Sequence, residues 1–207
     1  MMRTLNKMDA IKLLIQDHRQ VERLFKEYER AGDRAHTTKA RLAEAVVREL
    51  SIHASIEEQF LYPTARELSD KLDEQVLEAL EEHHVAKATL AELDKMSPTD
   101  ERFDAKMTVL MESIRHHVDE EEENLFPKLR KLMAPEELTV LGEAMDAAKK
   151  VAPTHPHPMA PDTPPGNVVS GVLAKILDSG KDLVRDTARS ARRAVSSRLQ
   201  RVRQVSG

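Results

Sequence analysis

The chain has 207 residues, which is enough for one domain of about 150 residues and an appendage. It contains no cysteine, which excludes disulfides, thiolate nucleophiles, zinc-thiolate sites and iron-sulfur clusters. The formal net charge of −4 is unevenly spread: residues 167–207 hold nine Lys/Arg against three Asp, a charge of +6, which leaves −10 for residues 1–166. So acidic a main part lacks the basic surface of a nucleic-acid-binding domain.

The first residues carry no targeting signal of the usual kind. The stretch MMRTLNKMDAIKLLIQDH has neither the apolar core nor the small-residue cleavage site of a signal peptide. No run of about 18 apolar residues occurs in the sequence. We therefore expect a cytoplasmic protein, associated with a membrane only if its C-terminal segment binds one.

Residues 1–151 are predicted to form an all-α domain. Glycine is scarce, aromatic residues make up 3%, and Glu, Leu, Ala, Lys and Arg dominate, a composition that favours helices. Four helices of 20 to 30 residues are predicted, at 10–31, at about 38–67, at about 70–96 and from the Ser97–Asp100 segment to about 132, and a short fifth helix at 135–150. Asp9 is expected to cap the first helix, Pro63 to kink the second, and Ser97–Asp100 to cap the fourth. Short connections between them predict an up-and-down four-helix bundle.

A linker and a tail follow the bundle. Residues 152–166, APTHPHPMAPDTPPG, contain six prolines and predict a semi-rigid linker. Residues 167–207 predict a basic amphipathic helix, because apolar residues recur along one side and arginines flank them. An anionic membrane surface or a protein partner suits such a tail. Binding to nucleic acid is disfavoured, since no aromatic residue is there to stack on bases. The alternatives are docking on the acidic bundle and a mobile solubilising tail.

One pattern occurs twice, 64 residues apart. IHASIEEQFLYP at 52–63 and HHVDEEEENLFP at 116–127 share H-x-x-x-E-E-x-x-L-[YF]-P when His53 is aligned with His117. In each copy an acid follows the histidine by four residues, so both lie on one helix face. The offset also matches the first helix pair to the second. A repeat of this order calls for an explanation in packing or in chemistry.

Each of the four long helices places one imidazole on its apolar stripe. His18 lies seven residues from both Ile11 and Phe25, and His83 is in register with Leu80 and Leu90, whereas His84 is turned by about 100°. The inward set comprises His18, His53, Glu57, His83, His117 and Glu121. His84 and His116 either support these residues from outside or face water. Asp119, Glu120 and Glu123 are expected to form a solvated acidic face.

Burial of this inward set predicts a metal site. Four imidazoles and two carboxylates cost several kcal/mol each when buried without compensation, and a cation offsets that cost. A buried polar network without metal is the alternative. Nitrogen and oxygen ligands leave zinc, iron and manganese open. Two carboxylates flanked by histidines favour a pair of metals, and iron is the commonest such pair in helical bundles.

The order His18, His53-x-x-x-Glu57, His83, His117-x-x-x-Glu121, with LYP and LFP after the paired motifs, resembles the bacterial hemerythrin-like HHE cation-binding domains. The resemblance covers about residues 9–150. It implies a four-helix bundle with a non-haem diiron centre, two irons bridged by an oxo or hydroxo group, Glu57 and Glu121 as bridging carboxylates and the four histidines as terminal ligands. It further implies binding or conversion of a small ligand: oxygen, peroxide or nitric oxide. The alternative is an iron or oxygen sensor, or an iron-binding protein, whose tail docks on a membrane or partner.

The sequence departs from the oxygen-carrying members of that family. Those members have a second histidine four residues after the one on the third helix, where this chain has Lys87. They also place the last carboxylate five residues after its histidine, which corresponds to Glu122. A missing histidine leaves one iron more open and argues against simple reversible oxygen carriage. Tyr62, four residues after Glu58, is either a packed or interfacial tyrosine or a phenolate that reaches the centre.

Overall fold

The computed structural model describes residues 8–157, and within them every regular element is a helix. The four-helix bundle and the short fifth helix predicted from sequence are confirmed. The α-helices are α1 (Ala10–Arg30), α2 (His36–Ile56), α3 (Tyr62–Leu68), α4 (Asp73–Leu93), α5 (Phe103–Glu120), α6 (Phe126–Leu132) and α7 (Pro135–Lys149). The predicted linker from residue 158 onward and the predicted tail, 167–207, lie outside the described residues. No helix within 8–157 combines the length and apolarity needed to cross a bilayer.

The helices α1, α2, α4 and α5 run up and down. His36, the first residue of α2, has its Nδ1 3.2 Å from the Pro98 carbonyl oxygen, which lies in the turn after α4. The α1–α2 and α4–α5 turns therefore lie at one end of the bundle. Asp104 at that end also accepts hydrogen bonds from Tyr28 and Lys39, each at 2.6 Å. In the sequence, the connection between α3 and α4 comes between these two turns and contains a 3-10 turn at Asp70–Leu72. The apolar core sits close to the paired turns.

Apolar stripes on all four long helices form that core. Its fully buried members, each at most 2% exposed, include Phe25, Leu42, Val46, Leu90, Phe103, Met107 and Leu110. Burial of each such side chain stabilises the fold by about 1.5 to 3 kcal/mol. Towards the other end of the bundle the same stripes continue as histidines and acids. The apolar half therefore fixes the rotation of each helix, and with it the direction of the polar side chains.

The start of the fourth long helix differs from the prediction. A helix capped by Ser97 was expected, but α5 begins at Phe103. The Asp100 carboxylate instead accepts a hydrogen bond from the Ser97 N–H at 2.8 Å, and the Ser97 hydroxyl contacts Thr99 Oγ1 at 2.7 Å. These short side chains satisfy a local turn, which competes with helix initiation. At the start of α1 the predicted cap is confirmed, since Asp9 accepts from Lys12 N–H at 2.8 Å.

The fifth helix, α7, packs closely on the start of α1. A Cβ built on Gly142 would lie 2.4 Å from the Met8 carbonyl oxygen and 2.7 Å from the Ala10 nitrogen, distances that no side-chain carbon tolerates. Glycine is therefore required where the two backbones meet. The close packing brings Lys149, at the end of α7, to 2.5 Å from Asp17 on α1. A residue of the fifth helix thus reaches the polar half of the bundle.

Candidate metal centre

Two π-helical turns carry the acids of the sequence repeat. They span Glu57–Leu61, between α2 and α3, and Glu121–Leu125, between α5 and α6. The N–H after each turn bonds the carbonyl five residues back. Pro63 and Pro127 follow directly, and the wider turn relieves the clash that a proline ring makes with the preceding turn of an α-helix. The leucine, aromatic and proline of the repeat therefore have a structural role: they produce one π-turn beside each buried acid.

Four imidazoles converge in pairs on one another. The Nε2 atoms of His18 and His53 are 3.2 Å apart, and those of His83 and His117 are 3.1 Å apart. All four side chains are buried, at 3 to 5% exposure. Each helix of the bundle supplies one ring, as its apolar stripe predicts. His84 is exposed, so the third-helix ring that enters the bundle is His83.

Two buried carboxylates lie between the histidine pairs. Glu57 Oε2 is 3.1 Å from His53 Nε2 and 3.5 Å from His83 Nε2. Glu121 Oε2 is 3.4 Å from His18 Nε2 and 3.7 Å from His117 Nε2. Each carboxylate therefore faces one ring of each pair. Two sets of ligand atoms that could each hold a cation share Glu57: one is His18, His53, Glu57 and Glu121, and the other is Glu57, His83 and His117.

Each histidine points its other nitrogen at a carboxylate outside the cluster. We call these four acids the outer carboxylates. The Nδ1···O distances are 2.8 Å for His18 to Glu122, 3.7 Å for His53 to Asp17, 3.0 Å for His83 to Glu58 and 2.7 Å for His117 to Glu82. Metal-binding histidines commonly donate their free N–H to a carboxylate in this way. With Nδ1 as the donor in His18, His83 and His117, the inward Nε2 of each of these rings offers a lone pair. At 3.7 Å from Asp17, His53 Nδ1 is too distant for a hydrogen bond.

The six inward side chains are better satisfied with a bound cation than by contacts with one another. Both oxygens of Glu57 and Oε2 of Glu121 are buried without a hydrogen-bond partner. Unpaired buried carboxylate oxygens cost several kcal/mol, and converging Nε2 lone pairs at about 3 Å repel one another. Cations bound between the six side chains would satisfy these oxygens and lone pairs together. The buried polar network considered as an alternative leaves them unsatisfied.

Protonation without a cation is uneven across the cluster. Burial, with the charge of Glu121, raises the pKa of Glu57 well above its usual value. Burial lowers the pKa of His53 to about 4 and also lowers that of His83. Burial raises the pKa of Glu121, but His117 and His18 outweigh it and hold that pKa well below its usual range. A bound cation must therefore displace a proton from Glu57, so acid opposes metal binding.

Lysines neutralise two of the outer carboxylates. Lys87 Nζ lies 2.9 and 3.2 Å from the two oxygens of Glu58, and both side chains are buried, at 7% and 4% exposure. Lys149 pairs with Asp17 from α7. Lys87 stands four residues after His83, where the sequence comparison with oxygen carriers expects a histidine. In this chain that position supplies a cation to the partner of His83.

Tyr62 lies at the centre, and not at a packed or interfacial position away from it. Its hydroxyl donates to Glu121 Oε1 at 3.1 Å and is 3.2 Å from His83 Nε2, with the side chain 1% exposed. Burial, together with Glu121 and Glu57, raises the pKa of the phenol well above its usual value. Its repeat partner is Phe126, whose ring stacks on His18 at 5.8 Å. At this position of the repeat the first copy therefore places a hydroxyl at the centre and the second copy does not.

A small cavity lies against the four histidines. Its volume is about 20 Å³, and apolar side chains of Val21, Leu50, Ala86, Leu90 and Ile114 form much of its wall. A space of about 10 to 15 Å³ is needed for one water molecule, so the cavity holds one molecule of that size.

The remaining histidines of the described residues lie elsewhere. His116 is exposed, and His155 pairs with Asp94 at 3.2 Å on the surface.

Known proteins share this sequence and fold. Residues 9–129 match the family profile described as "Hemerythrin HHE cation binding domain". An uncharacterized hemerythrin-like protein of Schizosaccharomyces pombe is 31% identical over 172 residues, which cover 83% of this chain and 84% of that protein. A DNA nickase of Nostoc sp. is 28% identical over 145 residues, 70% of this chain but 39% of the nickase. A crystal structure of a hemerythrin HHE cation binding domain-containing protein from Mycobacterium kansasii has the same fold, with a TM-score of 0.59 and 24% identity over 70% of this chain and 86% of that chain.

Proposed function

Because the chain belongs to the hemerythrin HHE cation-binding domain family, we propose that its bundle holds two iron ions and binds or converts a small ligand there. Oxygen, peroxide and nitric oxide are the ligands considered. The observation that carries the proposal is the convergence of four imidazoles and two carboxylates, with three of the four carboxylate oxygens buried and without a hydrogen-bond partner. Nitrogen and oxygen donors without sulfur suit iron, and four nitrogens with four carboxylate oxygens exceed the six donor atoms that one octahedral ion takes.

The residues divide between two ions. His18 and His53 would bind one iron, His83 and His117 the other, and Glu57 and Glu121 would be shared between them. This division follows the two Nε2 pairs and the position of each carboxylate between them. A reduced iron pair supplies an open coordination position and electrons to a small ligand.

The surrounding residues prepare the centre in three ways. Glu122, Glu58 and Glu82 hold the imidazoles of His18, His83 and His117 with their lone pairs inward. The Tyr62 hydroxyl donates a hydrogen bond to Glu121 Oε1 at 3.1 Å and so orients one of the two shared carboxylates. The small volume of the cavity, about 20 Å³, and its apolar walls restrict it to a ligand little larger than one water molecule and exclude bulk water. Size and polarity together favour a diatomic molecule or peroxide over any organic substrate.

Filling the cavity tests the proposal. Replacing Ala86, which is buried on the cavity wall, by leucine is expected to weaken nitric oxide binding to the reduced protein by about tenfold or more, since overpacking costs about 1 to 3 kcal/mol. Iron content should stay unchanged, because Ala86 contacts the cavity and offers no ligand atom. Titration followed by absorbance and by metal analysis measures both quantities.

Ala88 provides the matched control. It lies on the same helix but is exposed, so Ala88→Leu should leave affinity and iron content at wild-type values. Equal nitric oxide affinity in the Ala86→Leu variant and the wild type would show that ligands do not use this cavity. Loss of iron from the Ala86→Leu variant alone would instead assign Ala86 to the support of the metal ligands.

An iron or oxygen sensor is the second candidate function. It is favoured by the contact of Lys149 with Asp17, whose carboxylate lies 3.7 Å from His53 Nδ1. The final residue of α7 is thereby two contacts from a proposed iron ligand. In a sensor the tail, 167–207, would bind an anionic membrane surface or a protein partner according to iron occupancy. Sustained turnover of peroxide or nitric oxide supports conversion, and stoichiometric binding without turnover supports sensing.

A further inference from the structure

A group of three polar side chains lies on the surface beside His117. Glu82, His116 and Glu120 present ligand atoms that all lie within 4.8 Å of one another. We call these three residues the outer cluster. His116 Nε2 is 3.6 Å from Glu120 Oε1 and 4.0 Å from Glu82 Oε1. His116 and Glu120 have 68% and 39% of their side chains exposed, so small rotations of both can bring three ligands to one cation.

The outer cluster is joined to the metal centre by a shared carboxylate. Glu82 uses Oε2 to accept from His117 Nδ1 at 2.7 Å, and its other oxygen, Oε1, faces His116. A cation held at Oε1 would therefore be separated from a proposed iron-binding imidazole by one carboxyl group. The hydrogen bond between Glu82 and His117 therefore joins the outer cluster directly to the metal centre.

A cavity of about 50 Å³ lies here, and both exposed and buried acids line it. Glu78, Glu82 and Glu120 line its outer part, and the buried His117 and Glu121 line its inner part. Glu121 is 2% exposed, and its Oε2 has no hydrogen-bond partner. The carboxylate of Glu121 is thus shared by the wall of this acidic cavity and the metal centre, and the negative charge of the cavity attracts a cation towards it.

The charge of this cavity differs from that of the larger groove near His18. Four carboxylates and no lysine or arginine line the 50 Å³ cavity. The groove near His18 has a volume of about 570 Å³ but is lined by four basic and three acidic side chains, which are Arg19, Arg23, Lys26, Arg115, Glu22, Asp119 and Glu122. Cations are therefore drawn to the smaller cavity, although the groove is more open.

We propose that the outer cluster binds ferrous iron and passes it through the acidic cavity to the centre. The inference rests on the proposed function, because it supposes that the centre holds iron. It assigns a separate role to His116 and Glu120, which make no contact with the inward histidines among the hydrogen bonds and ion pairs of the described residues. Their role is kinetic: they determine how fast iron arrives, and not how much is finally held.

The test compares rates of iron loading in the full-length chain. Metal-free protein is mixed anaerobically with ferrous ammonium sulfate. The rate of loading is measured as the fall in free ferrous ion concentration over time, and the final metal content of the protein is then determined. The double variant His116→Ala/Glu120→Gln is expected to load about tenfold more slowly, in line with the effect of charge on cation capture, and to reach wild-type content. Glu82 is left intact because it also positions His117.

The matched control carries the same substitutions at exposed sites outside the cluster. His84 and Glu123 are exposed, and His84→Ala/Glu123→Gln changes the net charge equally. It should load at the wild-type rate. If the control and the test variant load iron equally slowly, the loss of rate is due to overall charge, and the inference is overturned.

Two other outcomes separate this inference from the proposed function. A wild-type chain that takes up iron to two per chain, with an outer-cluster variant that loads equally fast, would overturn the uptake role and leave the centre as proposed. A variant with lower final iron content would make the outer cluster part of the centre, which also overturns a purely kinetic role. A wild-type chain that takes up no iron would instead overturn the proposed function itself.

Discussion

Replacing Lys87 by methionine is expected to cost about 3 to 5 kcal/mol of folding stability and to disturb the centre at His83. The substitution keeps the volume of the stem but removes the cation from Glu58, which is 4% exposed and has both oxygens within 3.2 Å of Lys87 Nζ. An uncompensated carboxylate would remain in the bundle, 3.0 Å from His83 Nδ1. Denaturant unfolding of the iron-loaded protein measures the cost, and the optical spectrum reports the change at iron.

Two further variants isolate the reason for this loss. Lys39 is another buried lysine, at 4% exposure, but its partner Asp104 has 55% of its side chain exposed and regains water when the lysine is lost. Lys39→Met should therefore cost about 1 kcal/mol and leave the spectrum unchanged. Adding Glu58→Gln to Lys87→Met should recover much of the loss, because a neutral amide can still accept from His83. Equal costs for Lys87→Met and Lys39→Met would show that burial of Glu58 is not the cause.

Removing the metal is expected to lower the melting temperature by about 15 °C or more. Two ions, each present at about a thousand times its Kd, together stabilise the fold by about 8 kcal/mol, and each kcal/mol corresponds to about 2 to 4 °C for a protein of this size. Without cations both oxygens of Glu57 remain buried and unpaired. Calorimetry before and after anaerobic chelation measures the difference, and reloading with ferrous iron should restore the original value.

A variant with half of the centre removed provides the control for chelation. His83→Ala/His117→Ala eliminates one of the two Nε2 pairs, so chelation should lower its melting temperature by about half as much as in the wild type. A melting temperature that chelation shifts by less than about 2 °C in the wild type would mean that the six inward side chains are stable as a polar network without metal.

The inward residues could be predicted from sequence because helical periodicity alone sets their direction. His18 and His83 interrupt apolar stripes in α1 and α4, and the core that fixes helix rotation is built from those same stripes. The bundle followed from the four periodic segments and their short connections. One start was misplaced: the side chains around Ser97 stabilise a turn where the pattern indicated a cap.

The position of Tyr62 could not be predicted from regular helix geometry. Five residues of α-helix turn a side chain by about 140° away from Glu57, which would place the phenol off the centre. The π-turn at Glu57–Leu61 takes up the extra residue and returns Tyr62 to the face of Glu57. The signal was present in the prolines at 63 and 127, which mark the same departure from α-helix in both copies of the repeat.

The outer carboxylates were hidden from the sequence for a different reason. Asp17 and Glu82 are next to His18 and His83 in sequence, and Glu58 is next to Glu57. Each of these acids nevertheless faces a histidine of a different helix. Their partners depend on which helices are neighbours and on the rotation of each one. Composition shows only that acids are abundant. A three-dimensional arrangement was needed to match each acid to its imidazole.

Metal content of the full-length protein, purified without a polyhistidine tag after expression in iron-replete medium, tests the central claim most directly. We predict close to two irons per chain, with near-ultraviolet absorption bands from an oxo-bridged oxidised pair that disappear on reduction. The prediction follows from two Nε2 pairs with two carboxylates between them. One zinc ion per chain, with no iron and no such bands, would contradict the diiron account.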